Sequence, residues 1–172
     1  MLGRFLPKHL AESVYEIDLD HLQQIGIVGI ITDLDNTLVG AGVPSAPQPL
    51  MDWFKKVQDA GFRIVIVSNN NESRVARFAE PLSLPYISRA KKPLNKAYKK
   101  ALRMLDLPAE RCAMIGDQLL TDMFGGNRLG MYTIWVKPIE LKNEGFFTKI
   151  NRKIERKIAR KLEQKGWITW NS

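Results

Sequence analysis

Cysteine and histidine are almost missing from this 172-residue sequence, which has one Cys and two His, namely Cys112, His9 and His21. One thiol excludes an internal disulfide and a thiolate metal cage, which fits a reducing compartment. Its setting, 111-RCAMIG-116, reads as the interior of a strand, so Cys112 is expected to be an inert core thiol. Two isolated histidines argue against zinc. A metal, if used, should be hard and held by oxygen. Long apolar runs are also absent: nothing approaches the roughly 18 residues of a spanning helix. The start, 1-MLGRFLPKHLAESVYEIDLDHL-22, has no apolar h-region and no small-residue cleavage site. These absences predict a soluble, unsecreted, cytoplasmic protein.

What is present is a 45% hydrophobic chain, long enough for one sizeable core and short for two. We expect one domain over residues 1–141 and a basic amphipathic tail over residues 142–172. The formal net charge of +8 is concentrated in that tail. Between Thr148 and Lys165, Lys149, Arg152, Lys153, Arg156, Lys157, Arg160, Lys161 and Lys165 face only Glu155 and Glu163, and the remaining chain is nearly neutral.

From Ile25 onward, apolar runs alternate with helix-like segments. Strands are expected over 25–32, 62–68, 86–88, 111–116 and 131–136, and helices near 50–60, 71–80, 94–105 and 120–128. The strand runs are rich in Val and Ile and lack polar alternation, as parallel strands covered on both faces do. The rhythm predicts an α/β fold with a doubly wound parallel sheet. Ligands bind such sheets beyond the carboxyl ends of the strands. The polar clusters fall there: Asp33 and Asp35, then 68-SNN-70, 91-KKP-93 and 116-GDQLLTD-122.

Each cluster has a plain reading alone. Asp122 fits a helix cap, 68-SNNN-71 fits the cap of the next helix, and Lys91 with Lys92 fits a solvated pair before a helix-starting Pro93. Together they supply a site. Asp33, a carboxylate needing no proton removed at neutral pH, is a candidate nucleophile toward phosphorus. Asp35, two residues on, is a candidate acid and base for the leaving alcohol and the attacking water. Asp117 and Asp122 add hard oxygens suited to Mg²⁺. Ser68 and Lys92 are candidates to hold phosphate oxygens.

The ordered set 33-DLDNT-37, Ser68, Lys92 before Pro93, and 116-GDQLLTD-122 resembles the four motifs of the haloacid dehalogenase superfamily, over about Ile25 to Val136. The resemblance implies a Rossmannoid phosphohydrolase with Asp33 as nucleophile and Asp35 as acid/base. It also implies Mg²⁺ held by Asp33, the Asp35 backbone carbonyl, Asp117 and, directly or through water, Asp122. Thr37, Ser68, Asn69 and Lys92 then fall to the substrate. The DxDxT pattern is typical of the superfamily's phosphatases. Spacings of about 35 and then about 25 residues leave no room for a cap domain, so the site is expected to be open, or lidded by a second subunit in an oligomer. The segments 5-FLP-7, 16–39 and 126–136 are similar to a bacterial uncapped subgroup related to mitochondrial phosphatidylglycerophosphate phosphatases. Leu34 and Thr37 depart from the mitochondrial pattern, DKDN followed by Cys.

In the tail, Ile150, Ile154, Ile158 and Leu162 recur every fourth residue, which makes a stripe that drifts around a straight helix. Lysines and arginines fill adjacent rows, with Phe146, Phe147, Trp167 and Trp170 at the ends. Three readings stay open. The helix docks on its own domain, lies on an anionic membrane surface at the inner face of the membrane, or binds nucleic acid. The functional expectation is a Mg²⁺-dependent phosphomonoesterase, with phosphatidylglycerophosphate as the first phosphorylated substrate to test. Nucleic-acid ends or small soluble phosphoesters are the second reading, and a non-catalytic RNA-binding or ribosome-binding module the third.

Overall fold

The computed structural model describes residues 2–142 and 144–170, without the side chain of Phe147. Its elements run β1 (His9–Ala11), α1 (Leu19–Gln24), β2 (Gly29–Thr32), α2 (Gln48–Asp59), β3 (Arg63–Val67), α3 (Glu72–Ala79), β4 (Tyr86–Ile87), α4 (Asn95–Leu105), β5 (Cys112–Gly116), α5 (Phe124–Leu129), β6 (Tyr132–Val136) and α6 (Phe146–Gln164). The six strands form one sheet in the order β1-β6-β5-β2-β3-β4, and all the pairings are parallel. This is the doubly wound sheet expected, extended by the edge strand β1. His9, Leu10 and Ala11 lack the apolar run that marks the other strands, yet they pair with Ile134, Trp135 and Val136.

Every residue of β2 and β5 is buried, because both strands are interior and covered on two faces. Alternation along β2 divides the core. Ile30 joins Ile64, Ile66 and Ile115 under Leu50, Trp53 and Phe54 of α2 and Phe78 of α3. Ile31 joins Val65, Val67 and Met114 under Ala97, Tyr98 and Ala101 of α4. Cys112 lies in this second layer, where burial pushes its thiol up to about 11.

A third cluster holds Leu119, Met123, Trp135, Leu162 and Ile168, with Ile158 and Trp170 packed against it. The second half of the α6 stripe therefore belongs to a core, while Ile150 and Ile154 are 40% and 47% exposed. The drift of a four-residue repeat around a 3.6-residue helix explains the split.

The sheet order makes the site. The chain leaves β2 toward β3 and β4 on one side, then returns to β5 on the other, so β2 and β5 flank a topological switch point. The loops leaving those two strands carry Asp33, Asp35, Asp117 and Asp122.

Candidate active site

Asp33 follows the last residue of β2, with its amide donating to the Ile115 carbonyl of β5 at 3.0 Å. Its carboxylate is buried and meets the Lys92 ammonium, with Nζ 2.8 Å from Oδ1. The same Nζ lies 2.7 Å from Asp122 Oδ1. Lys92 is held by Asn69, whose Oδ1 accepts from the Lys92 amide at 2.6 Å and whose Nδ2 donates to its carbonyl at 3.4 Å. Ser68 Oγ accepts from the Asn70 amide at 3.1 Å, and Asn71 caps α3 by accepting from the Arg74 amide at 2.9 Å. The SNNN segment thus divides its work between lining the site and capping a helix.

Asp122 sits in a π-helical turn, Leu119–Met123, that follows β5. It is not a helix cap; its carboxylate accepts from the Gln118 amide at 3.2 Å and from Lys92. Gly116 makes that position possible. A Cβ there would fall on the Asp122 carboxylate, so only glycine leaves room for it.

Ligand atoms of Asp33, Asp117 and Asp122 lie within 4.8 Å of one another, the one such group among the described residues. Three buried carboxylates facing each other are poorly compensated by Lys92 and Arg152 alone. Burial raises Asp33 to about 8 against the pull of Lys92, and burial likewise raises Asp117 against Arg152. An all-oxygen donor set that is short of positive charge fits a hard divalent cation.

The structure places the other expected residues as follows. The Asp35 carboxylate stands apart from the cluster, held by Arg74 (Nη2 to Oδ1, 2.9 Å) and by Asn70 (Nδ2 to Oδ2, 2.8 Å). Its side chain is therefore not a member of the carboxylate cluster. Thr37 turns its hydroxyl to Asp117 Oδ1 at 2.9 Å, which makes it a support for Asp117 rather than a residue of the cavity wall. Asp33, Asp35, Ser68, Asn69 and Lys92 do line one cavity of about 260 Å³.

Glu144, Gly145 and Thr148 wall one side of that cavity. The segment is moored by Asn36, whose Oδ1 accepts from the Glu140 amide and whose Nδ2 donates to Glu144 Oε1, both at 3.1 Å. Asn36, Arg74, Glu144 and Arg152 were not legible as site residues. For Arg152 the available signal was Glu155, an acid inside a basic helix and seven residues before buried Leu162, hence on the inner face.

Over 166 residues and 96% of both chains, the sequence is 46% identical to the probable phosphatase YqeG of Bacillus subtilis. The chain belongs to the haloacid dehalogenase superfamily of phosphatases. A HAD-hydrolase-like family model matches residues 89–138 of this phosphatase, the stretch that carries Lys92, Asp117 and Asp122. The phosphatase is also 29% identical to a chloroplastic phosphatidylglycerophosphate phosphatase 1 of Chlamydomonas reinhardtii, over 87% of this chain and 59% of the algal one. The fold is shared with the cobalt-bound deoxy-D-mannose-octulosonate 8-phosphate phosphatase of Haemophilus influenzae, at a TM-score of 0.54 and 16% identity, covering 84% of this chain and 92% of that one. The superfamily's phosphatase chemistry, hydrolysis of phosphate esters, is thus this chain's chemistry.

Proposed function

We propose that this haloacid dehalogenase-type phosphatase hydrolyses phosphomonoesters through an aspartyl-phosphate on Asp33, with Mg²⁺ held by Asp33, the Asp35 carbonyl, Asp117 and Asp122. The observation that carries the reading is the convergence of the Asp33, Asp117 and Asp122 carboxylates, with Lys92 between two of them, beside a cavity that Asp35 also lines. A bound Mg²⁺ would neutralise the phosphate and hold Asp33 in its charged form. An Asp33 oxygen attacks phosphorus, the ester P–O bond breaks, and Asp35 gives its proton to the departing alkoxide. Water then attacks the phosphorus of the aspartyl-phosphate, the Asp33 O–P bond breaks, and the water's proton returns to Asp35. The sum is ester plus water to alcohol plus phosphate. Lys92, Ser68 and Asn69 hold the phosphate oxygens in both steps.

For the substrate we favour a phosphorylated lipid, phosphatidylglycerophosphate, met at an anionic bilayer. Two observations support this: the likeness to the algal enzyme, and the exposed basic face of α6 with Ile150 and Ile154 outward on it. Among the described residues no helix is long and apolar enough to cross a membrane. α6 instead presents Ile150 and Ile154 outward among exposed Lys149, Lys153, Lys157, Arg160 and Lys161, and it begins at the rim of the cavity. Each such cation contributes about 1 kcal/mol near an anionic surface.

A turnover screen with Mg²⁺ tests the reading, comparing phosphatidylglycerophosphate in anionic vesicles with soluble sugar phosphates, nucleotides and 5′-phosphorylated RNA. We expect the lipid to give the highest kcat/KM, and reversal of Lys157, Arg160 and Lys161 to Glu to lower turnover of the lipid alone. A soluble ester or RNA end preferred over the lipid overturns the substrate.

A further inference from the structure

Arg152 differs from the other basic residues of the tail. Lys149, Lys153, Arg156, Lys157, Arg160, Lys161 and Lys165 are exposed, whereas the Arg152 side chain is only 14% exposed and reaches into the domain. Its whole donor set is engaged. Nε donates to Glu144 Oε1 at 3.0 Å, Nη1 to the Asp117 carbonyl at 2.8 Å and Glu155 Oε2 at 3.2 Å, and Nη2 to the Asp117 carboxylate and to Glu144 Oε1 at 2.6 Å. The planar fork therefore grips the main chain and the side chain of one residue, Asp117, which fixes how its carboxylate is turned.

The surroundings are built for this grip. Glu155 accepts from the Leu120 amide at 2.9 Å and Glu144 from Asn36 Nδ2 at 3.1 Å, so Arg152 and its two acids tie α6 to the loops after both β2 and β5. Trp135 Nε1 donates to the Asp117 carbonyl as well, at 3.0 Å. Stability alone does not call for such an arrangement, since apolar groups of similar volume serve as well as buried ion pairs. Nor does Arg152 stand where a substrate would. It lines a second cavity with Asp117, Trp135, Pro138 and Leu141, which shares Glu144 with the one into which Asp33 and Lys92 open, and Arg152 is not among the residues lining that one. With Thr37 on Asp117 Oδ1 and Arg152 on Oδ2, each oxygen keeps a lone pair for a cation.

We propose that Arg152 is a positioning residue for the cation site, fixing the Asp117 carboxylate toward Asp33 and Asp122 and thereby setting the affinity for Mg²⁺. The inference rests on reading the three carboxylates as a cation site, and goes beyond it by making the C-terminal helix part of that site. Outer partners of metal-binding side chains commonly govern affinity in this way.

The test titrates full-length wild type, Arg152→Ala and Arg152→Lys with Mg²⁺ by calorimetry, alongside thermal melts and Mg²⁺-dependent turnover of p-nitrophenyl phosphate. We expect Arg152→Ala to weaken Mg²⁺ binding by roughly 10- to 100-fold, with excess Mg²⁺ restoring kcat and KM for the ester little changed. Arg152→Lys keeps the charge without the fork, so it should fold and still bind Mg²⁺ more weakly than wild type; it decides the matter if the Ala variant does not fold. A lowered melting temperature with an unchanged Mg²⁺ Kd would make the role purely structural and overturn the inference. Tighter binding in either variant would also overturn it, by making Arg152 a competitor for Asp117. A wild type that binds no divalent cation overturns the cation site itself and this inference with it.

Discussion

Thr37 Oγ1 donates to Asp117 Oδ1 across 2.9 Å, joining the loop after β2 to the end of β5 over a separation of 80 residues. Both residues are buried, so water does not replace this bond when it is lost. Thr37→Val keeps the shape and removes the donor. We expect a stability loss of about 1.5–3 kcal/mol, as for a hydrogen bond to a charged group, and a Mg²⁺ Kd raised by roughly tenfold. Chemical denaturation and calorimetry on the same protein read both. Unchanged Mg²⁺ affinity would mean that Thr37 does not orient Asp117.

The buried carboxylates make cation binding depend on pH. Burial raises Asp33 to about 8 and raises Asp117, so the folded protein without metal keeps protons that the unfolded chain releases near the ordinary carboxylate range. Their contribution to metal-free stability is therefore full at low pH and lost as pH rises through the folded value. A cation must displace these protons, so its affinity rises over the same window. The melting temperature gained with millimolar Mg²⁺ should grow from pH about 6 to about 8. A gain that is flat across that window would contradict the account.

Gly116 is required by Asp122 rather than by its own backbone. Gly116→Ala sets a methyl group against the Asp122 carboxylate, which must then move away from Lys92. Overpacking of this kind costs about 1–3 kcal/mol, and turnover should fall by at least about tenfold as Lys92 loses one of its two partners. Alanine tolerated at full activity would show that Asp122 has room to spare.

The α6 stripe gives a contrast within one helix. Leu162→Ala opens a hole beside Leu119, Met123 and Trp135 and should cost about 2–5 kcal/mol. Ile154→Ala, at a position 47% exposed, should cost within about 0.5 kcal/mol. Denaturant melts of the two variants suffice. Equal losses would mean that the helix is not docked by its second half.

Much of this arrangement is legible in the sequence. The parallel strands could be read because burial on both faces leaves uninterrupted apolar runs, and the convergence of Asp33, Lys92, Asp117 and Asp122 could be anticipated because their segments follow strand ends on one edge of such a sheet. β1 could not, since three residues paired to a strand more than a hundred positions away carry no local pattern. Arg152 was hidden among seven like charges, and what turns it inward is the phase of the helix set by Leu162 far along it. The side wall at Glu144, Gly145 and Thr148 was hidden for the same reason: it depends on how α6 docks, which is a tertiary fact.

The central claim is that the Asp33 carboxylate attacks phosphorus. Turnover of p-nitrophenyl phosphate by Asp33→Asn, in protein shown by circular dichroism to keep its fold, tests it most directly, because the change removes one charge and the nucleophilic oxygen while leaving the shape. The account predicts a fall of roughly three orders of magnitude or more; substantial turnover by the folded variant would contradict it.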